Sequence, residues 1–273
     1  MNRMSLPVLA LGFAVLLYGS STAAAQPLSS FAVLDGSTVT NTATPTIVTG
    51  NLGVSPGSAV TGFPPGVVSG GTIHAADTVA AQAQTDLTTV YNNLASAPCN
   101  ADLSGQDLGG KTLTPGVYCY STSAQLTGTL TLDGQGNPNA TFIFKTGSTL
   151  TTASASSVVL INGASSCGVF WQVGSSATLG TGTTLAGTIV AFSSITLNTG
   201  SSVSGRVLAR NGAVTLDDNQ VTVCSSAGGG GGLPLSVVAV PTLSGWAMLV
   251  LTCLLVLFGL AAMRGRAASS RPG

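Results

Sequence analysis

The fold of this chain is decided by residues 183–191, which read TTLAGTIVA and are echoed at 201–209 by SSVSGRVLA. The surrounding stretch, 177–216, keeps the same period, and apolar and polar residues alternate within it. A short fixed period with strand alternation is typical of a β-solenoid, in which each repeat is one coil stacked on the last. We therefore predict a mainly β protein, a β-helix with coils of roughly 18 residues.

Two rows of hydroxyl side chains are predicted on the outside of these coils. Alternate residues of a strand face opposite sides, and the leucines beside Thr178 and Thr196 are expected to point inward. Together with Thr215, which also precedes a leucine, the two threonines form one outward row. Thr184 and Ser202 form a second row on the next side of the coil, and further alternation places Arg206 on a third side that faces water.

The ends of the chain differ from this middle part. Residues 1–25 carry an early arginine, an apolar run and a final Ala-Ala-Ala, which is the pattern of a secretory signal. Residues 246–263 are uncharged and are followed by arginines, which favours a transmembrane helix over a buried core helix. We predict a signal peptide at 1–25, a β-helix domain at 26–226, a glycine-rich linker at 227–240 and a carboxy-terminal segment at 241–273.

One α-helix interrupts the β pattern. Residues 73–94 contain no glycine or proline, and apolar residues recur there at steps of three and four. We predict a helix at 73–95, with Thr72 as its N-cap and Pro98 beyond its end. Its length of ~33 Å matches a stack of about seven strands spaced ~4.8 Å apart, so we expect it to lie lengthwise on one side of the coil.

Four cysteines fall in the exported domain, where disulfide bonds persist. Cys99, Cys119, Cys167 and Cys224 allow three pairings. We favour Cys99–Cys119, which closes a short loop, and Cys167–Cys224, which ties the last strand back to the coil. A metal site is disfavoured because the chain has no C-x-x-C and only one histidine.

The charge pattern excludes several function classes. Residues 26–240 hold eight aspartates, no glutamate and four lysines or arginines, a net charge of −4, so nucleic acid is a poor partner. A glycan-cleaving β-helix needs clustered carboxylates, and the only adjacent pair, Asp217-Asp218, reads as a turn. His74 opens the helix and is expected to cap it or face water. We predict no enzyme activity, no cofactor and no metal.

Several motifs resemble the bacterial and fungal ice-binding proteins built on an irregular right-handed β-helix with a flanking α-helix. The motifs are FAVL at 31–34, GNLGVSPG at 50–57, TIHAAD at 72–77, DLSGQDLGG at 102–110, LTPGVY at 113–118, FIFK at 142–145, VFWQVG at 169–174 and GAVTLD at 212–217. The resemblance implies that the N-terminal strands join the coil out of sequence order and that one flat face contacts ice.

The resemblance also suggests site residues, because some members carry a T-A/G-x-T/N pattern on the ice-contacting face. This chain matches the pattern at 146–149 and 181–184 and departs from it in the last residue of 199–202. Together with the first hydroxyl row, the predicted ice-binding residues are Thr146, Thr149, Thr181, Thr183, Thr184, Thr199, Ser201, Ser202, Thr178 and Thr196.

The carboxy-terminal segment resembles the IPTL-type sorting signals of Gram-negative bacteria. Residues 240–246 read VPTLSGW and precede the apolar run and the basic end. The chain departs from that signal with Val240 in place of isoleucine and Gly245 in place of an acid. The resemblance implies processing by a membrane-embedded sorting enzyme, and a permanent membrane anchor is the alternative.

We therefore predict an exported or cell-surface, monomeric β-helix that adsorbs to ice and slows its growth or recrystallisation. A charge-poor wall of hydroxyls and methyls suits that partner, although threonine rows also arise from strand propensity alone. An adhesion module that binds glycan through the same face is the main alternative, and a β-helix enzyme ranks last.

Overall fold

The computed structural model describes residues 27–42 and 45–224. Its first strands are β1 Phe31–Asp35, β2 Thr38–Asn41, β3 Ile47–Thr49, β4 Asn51–Val54, β5 Ala59–Thr61, β6 Val67–Ser69 and β7 Ile73–Ala75, followed by the helix α1 Thr78–Ser96. The later strands are β8 Ala101–Asp102, β9 Thr112–Leu113, β10 Gly116–Tyr120, β11 Ala124–Leu126, β12 Thr129–Asp133, β13 Phe142–Thr146, β14 Leu150–Thr152, β15 Ser157–Ile161, β16 Val169–Val173, β17 Ala177–Leu179, β18 Thr184–Ala191, β19 Ile195–Leu197, β20 Ser202–Ala209, β21 Val214–Leu216 and β22 Gln220–Thr222. Two 3-10 turns lie at Leu28–Ser30 and Ser166–Gly168.

The strands stack as the coils of a β-helix with three faces. The ladder face is the seven-stranded sheet β11-β14-β17-β19-β21-β2-β5. The other sheet folds over two sides, because β18 and β20 turn a corner at Gly187 and Gly205, which have φ of 114° and 151°. The second face holds β9, β12, β15, the first halves of β18 and β20, β22, β3 and β6; the helix face holds β8, β10, β13, β16, the second halves of β18 and β20, β1, β4 and β7.

The eighteen-residue period is confirmed within 177–216, where it was predicted, but the earlier coils do not keep it. Thr184 pairs with Ser202 in parallel register. Earlier coils are longer, since Leu130 pairs with Val158 and Leu150 with Ala177. The added residues make turns between β12 and β13 and between β15 and β16, and these loops hide the period from sequence inspection.

The N-terminal strands complete the stack out of sequence order, as the family resemblance implied. β1 pairs with β20 and β4, β2 with β21 and β5, and β3 with β22 and β6. At this seam the buried Asp35 carboxylate accepts hydrogen bonds from the amides of Val214, at 3.0 Å, and Ser37, at 3.2 Å. Desolvation raises the pKa of Asp35 to about 7.

Arg206 also lies at this seam, and its predicted exposure is wrong. Only 3% of Arg206 is exposed, and its Nε and Nη2 donate to the carbonyl of Ser29 at 3.1 and 2.9 Å. Val207 packs in the coil interior, so Arg206 keeps the outward side of β20, but the N-terminal 3-10 turn covers it and shields it from water.

The helix begins later than predicted but lies where expected. Residues 73–75 pair with β4 as a strand, and the helix starts after Asp77, whose side chain accepts a hydrogen bond from the Ala80 amide at 2.8 Å. Asp77, rather than Thr72, is therefore the N-cap. The apolar stripe packs on the helix face against Phe31, Phe170 and Leu208. Its buried members are Ala80, Ala83, Leu87, Val90 and Leu94.

An aromatic column fills part of the coil interior. Tyr118, Phe144 and Trp171 come from three successive coils, and their ring centroids lie 5.5 and 4.2 Å apart. Buried Leu, Val and Ile side chains surround this column. A continuous, close-packed interior makes the coil stiff, and that stiffness carries through to the outer surface of each strand.

Both favoured disulfide bonds are present. Cys99–Cys119 joins the segment after α1 to β10, and Cys167–Cys224 joins the second 3-10 turn to the end of the last strand. Within residues 27–42 and 45–224, no helix is long and apolar enough to cross a membrane. The predicted signal peptide at 1–25, the linker at 227–240 and the transmembrane helix at 246–263 lie outside the described residues.

Candidate functional site

The ladder face carries one row of nearly identical side chains. The strand register aligns Gln125, Thr151, Thr178, Thr196, Thr215, Thr40 and Thr61, one from each of the seven strands. Strands stack at ~4.8 Å, so the row runs for about 29 Å. The residues on either side of the first six members are buried, as predicted for Leu179 and Leu197, whereas Val60 beside Thr61 in the edge strand is half-buried.

A second row of small side chains runs parallel to the first. It consists of Ser123, Thr149, Ser176, Ser194, Ala213, Thr38 and Ala59, each two residues before a member of the threonine row. Thr149 Oγ1 donates to Ser123 Oγ at 2.8 Å, so at least part of this row is joined by hydrogen bonds. Neither row contains a charged residue, which leaves a surface of hydroxyls, methyls and one amide.

The second face is less uniform. Thr184 and Ser202 do point outward there, with their hydroxyl oxygens 3.5 Å apart. The same row continues through Gln220 to Ile47 and Val67, which are 43% and 51% exposed. Beside this row, the 3-10 turn Ser166–Gly168 contacts β18 and β20 and interrupts the plane.

Three of the predicted site residues are buried, so the structure contradicts their assignment to an ice-contacting surface. Thr146, Thr183 and Ser201 are 3%, 0% and 0% exposed. Thr183 lies 2.8 Å from Thr152 through their hydroxyl oxygens, and Ser201 Oγ accepts from Asn219 Nδ2 at 3.0 Å. In 181–184 and 199–202 the third residue points inward because the preceding glycine, Gly182 with φ of 67° or Gly200 with φ of 72°, reverses the chain at the corner. Thr146 is instead the last residue of β13 and lies on the inward side of that strand.

The remaining predicted residues divide between two surfaces. Thr149, Thr178 and Thr196 lie on the ladder face. Thr184 and Ser202 lie on the second face. Thr181 and Thr199 are exposed in the turns that join the two faces. The structure therefore does not bring the ten predicted residues together into one site.

The polar clusters outside these faces serve the fold. The Asp217 amide donates to Asn219 Oδ1 at 2.7 Å, and Asp218 has a φ of 54°, which confirms the turn at this acidic pair. His74 lies in β7 rather than at the first turn of the helix, and its Nδ1 lies 2.7 Å from Oδ2 of the N-cap Asp77, so it supports the cap without being the capping residue. In the described part of the chain no group of three potential metal ligands occurs.

A family model described as "Ice-binding-like" matches residues 33–222, which span all three faces. The chain belongs to this ice-binding-like family. It is 59% identical over 195 residues to an ice-binding protein of Nostoc sp. strain HG1, covering 71% of this chain and 71% of the relative. It is 37% identical over 223 residues to ice-binding protein 1 of Shewanella frigidimarina, of which it spans only 25%.

Solved structures of ice-binding proteins share the fold. The protein from the Antarctic ascomycete Antarctomyces psychrotrophicus has a TM-score of 0.69 and 41% identity, covering 72% of this chain and 95% of its own. An ice-binding protein from an Antarctic biological consortium has a TM-score of 0.70 and 41% identity, covering 81% and 97%. The described arrangement of coils and helix is thus shared with structures of ice-binding-like proteins.

Sequence reasoning missed half of the threonine row on this ice-binding-like chain. Thr151 lies in a coil of irregular length, and Thr40 and Thr61 belong to strands that join the stack out of order. The signal that identifies them is local: each is a threonine that follows an apolar residue in a short strand. That signal becomes meaningful only when the strand order is known.

Proposed function

We propose that this protein adsorbs to ice through the ladder face. The observation that carries the proposal is the in-register row of six threonines on six adjacent strands, with no charged residue in it. Membership of the ice-binding-like family and the names of the relatives support the same function.

The ladder face suits ice because its groups are regular and weakly polar. Hydroxyls and methyls repeated at ~4.8 Å hold water in positions set by the protein rather than by bulk liquid. A charged side chain would orient nearby water around itself and disturb that order. Each contact is weak, but a rigid surface makes all of them at once, and little freedom is lost on binding.

The ladder face is favoured over the second face for two reasons. Its outward residues are nearly uniform, whereas the second face mixes serine and threonine with the large side chains of Ile47 and Val67. The helix packs on the helix face and the 3-10 turn Ser166–Gly168 packs near the second face, so neither rises above the threonine row.

The test is a pair of matched substitutions in the purified protein. Thr196→Tyr introduces a bulky ring in the middle of the ladder face, which would hold the surface off the crystal. We expect thermal hysteresis and recrystallisation inhibition to fall by more than half. Thr184→Tyr makes the same change on the second face and should leave both activities near the wild-type level.

The outcomes separate the alternatives clearly. If Thr184→Tyr abolished thermal hysteresis and recrystallisation inhibition while Thr196→Tyr did not, ice binding would be assigned to the second face. Wild-type protein with no effect on crystal growth would reject ice binding, and retention on insoluble glycan in that case would favour adhesion. Circular dichroism checks that both variants keep the fold.

Export and a monomeric state belong to the same proposal. The signal-like residues 1–25 and the two disulfide bonds support an oxidising location outside the cytoplasm. Sorting through 241–273 rests on the sequence resemblance, and mass spectrometry of the mature protein tests it by locating the final residue. Sedimentation velocity tests the monomer.

A further inference from the structure

A buried cation lies against one sulfur of the Cys167–Cys224 disulfide. Arg206 Nη1 lies 3.6 Å from Cys224 Sγ and 3.4 Å from Thr188 Oγ1. Its other nitrogens donate to the Ser29 carbonyl. Only 3% of the arginine is exposed. The guanidinium is therefore largely shielded from water at the seam where the N-terminal strands join the last strands of the chain.

This arginine has no acidic partner among the described residues. The one ion pair of residues 27–42 and 45–224 joins His74 to Asp77. The groups facing the guanidinium are a carbonyl, a hydroxyl and the sulfur, so the positive charge is solvated by neutral dipoles. A buried charge in that position strongly favours any anion that forms beside it.

The two cysteines of this disulfide differ in their surroundings. Cys167 is 3% exposed, whereas Cys224 is partly exposed and is the sulfur in contact with Arg206. A thiolate is the reactive form of cysteine, and a neighbouring arginine increases its population. Accessibility and charge therefore both select Cys224.

We propose that Cys224 is the reactive thiol of this pair, the site at which small-molecule disulfides such as oxidised glutathione modify the reduced protein. Arg206 is the positioning residue that keeps the sulfur ionised. The other disulfide, Cys99–Cys119, shows no such contact with an arginine among the described residues, so the arginine–sulfur contact is specific to the seam.

The chemistry balances as two successive exchanges. The Cys224 thiolate attacks one sulfur of the oxidant, a new S–S bond forms, and the other half leaves as a thiolate that takes up a proton. The Cys167 thiolate then attacks the Cys224 sulfur and expels the second half. Two protein thiols are oxidised, and one disulfide oxidant is reduced to two thiols.

The test uses the full chain with Cys167→Ser, in which Cys224 is free. The rate of alkylation at Cys224 is followed against pH by mass spectrometry of its peptide, which separates it from Cys253. We expect a midpoint about one unit below the usual thiol pKa of ~8.5. Adding Arg206→Gln should return the midpoint to that value, and Arg206→Lys should keep most of the shift.

Two controls keep the proposal falsifiable. Arg210→Gln removes the other arginine of the domain, which contacts Thr88 rather than a sulfur, and should leave the midpoint unchanged. In concentrated urea the midpoint of alkylation at Cys224 should lie at the usual thiol value in all variants. A native midpoint at or above the ordinary value, or one unmoved by Arg206→Gln, would overturn the proposal.

A second route covers the case in which Cys167→Ser does not fold. Wild-type protein is reduced with a phosphine and exposed briefly to oxidised glutathione. The mixed disulfide should form on Cys224 before Cys167. Equal labelling, or labelling of Cys167 first, would contradict the assignment.

Discussion

The stability of this protein should fall as the pH rises from about 4 to above 7, because of Asp35. The carboxyl group is fully buried at the seam, where its two hydrogen-bond donors are the amides of Val214 and Ser37. Burial disfavours the charged form and outweighs both hydrogen bonds, so the pKa rises from 3.8 to about 7. The folded protein then holds a proton that the unfolded chain has already released.

The size of the effect follows from the two pKa values. Below the unfolded value both states are protonated, and the folded state carries no penalty. Between 3.8 and about 7 the folded state binds more protons, so the free energy of unfolding decreases by up to ~1.4 kcal/mol per pH unit. Above about 7 the loss is complete, at roughly 4 kcal/mol.

Urea denaturation at several pH values tests this, with Asp35→Asn as the variant. Asparagine stays neutral, so its free energy of unfolding should be nearly flat from pH 4 to 8. The asparagine side chain has one oxygen in place of the two that accept hydrogen bonds from the amides of Val214 and Ser37. The lost hydrogen bond should lower the free energy of unfolding by about 1 to 2 kcal/mol. The variant should therefore be less stable than wild type at pH 4 and more stable at pH 8.

The carboxylates whose pKa is lowered in the fold do not contribute in this pH window. The pKa of Asp77 is lowered by hydrogen bonds to the Ala80 amide and to His74, despite a desolvation effect that raises it. Such a group loses its stabilising effect only as the pH falls below about 4. Parallel pH curves for wild type and Asp35→Asn between pH 4 and 8 would refute the reasoning.

Three further predictions concern stability and are checked by urea denaturation. Asp77→Ala removes the helix N-cap and should cost about 1 kcal/mol, whereas Asp86→Ala on the same helix should cost less. Gly205→Ala should cost about 3 kcal/mol or more, because its Cβ would lie 2.0 Å from the Gly187 carbonyl oxygen, while Gly200→Ala meets no atom within 4 Å and should cost about 1 kcal/mol. Replacing both Cys99 and Cys119 by alanine should cost about 3 kcal/mol, since the bond closes a loop with a sequence separation of 20; a loss below 1 kcal/mol would contradict this.

The sequence predicts this fold well where structure is local. The repeat at 183–191 and 201–209 gave the correct strand pairing, and the leucines beside Thr178 and Thr196 gave the correct inner side. Alternation in a strand depends only on neighbouring residues, so it can be read directly. The helix stripe was equally clear, and only its first turn was misplaced.

The candidate site was harder to predict because it depends on corners and on strand order. Thr183 and Ser201 were expected outside, but the chain reverses just before them and both become buried. Arg206 points outward as expected, but the N-terminal 3-10 turn covers it, a contact between distant parts of the chain. Thr40 reaches the threonine row through pairing with Thr215, a contact between the two ends of the domain that no local pattern reveals.

The out-of-order seam has a consequence for how the chain is made. Strands β1 to β3 emerge from the ribosome first, yet their partners β20 to β22 are among the last to be synthesised. The N-terminal strands can pair with β4 to β6 early, but their other neighbours exist only when nearly the whole domain has been made, so folding is expected to be slow. A truncation that removed only β20 to β22 would also disconnect the seven strands β1 to β7 from the rest of the stack. Partial products should therefore be degraded rather than accumulate as shortened ice binders.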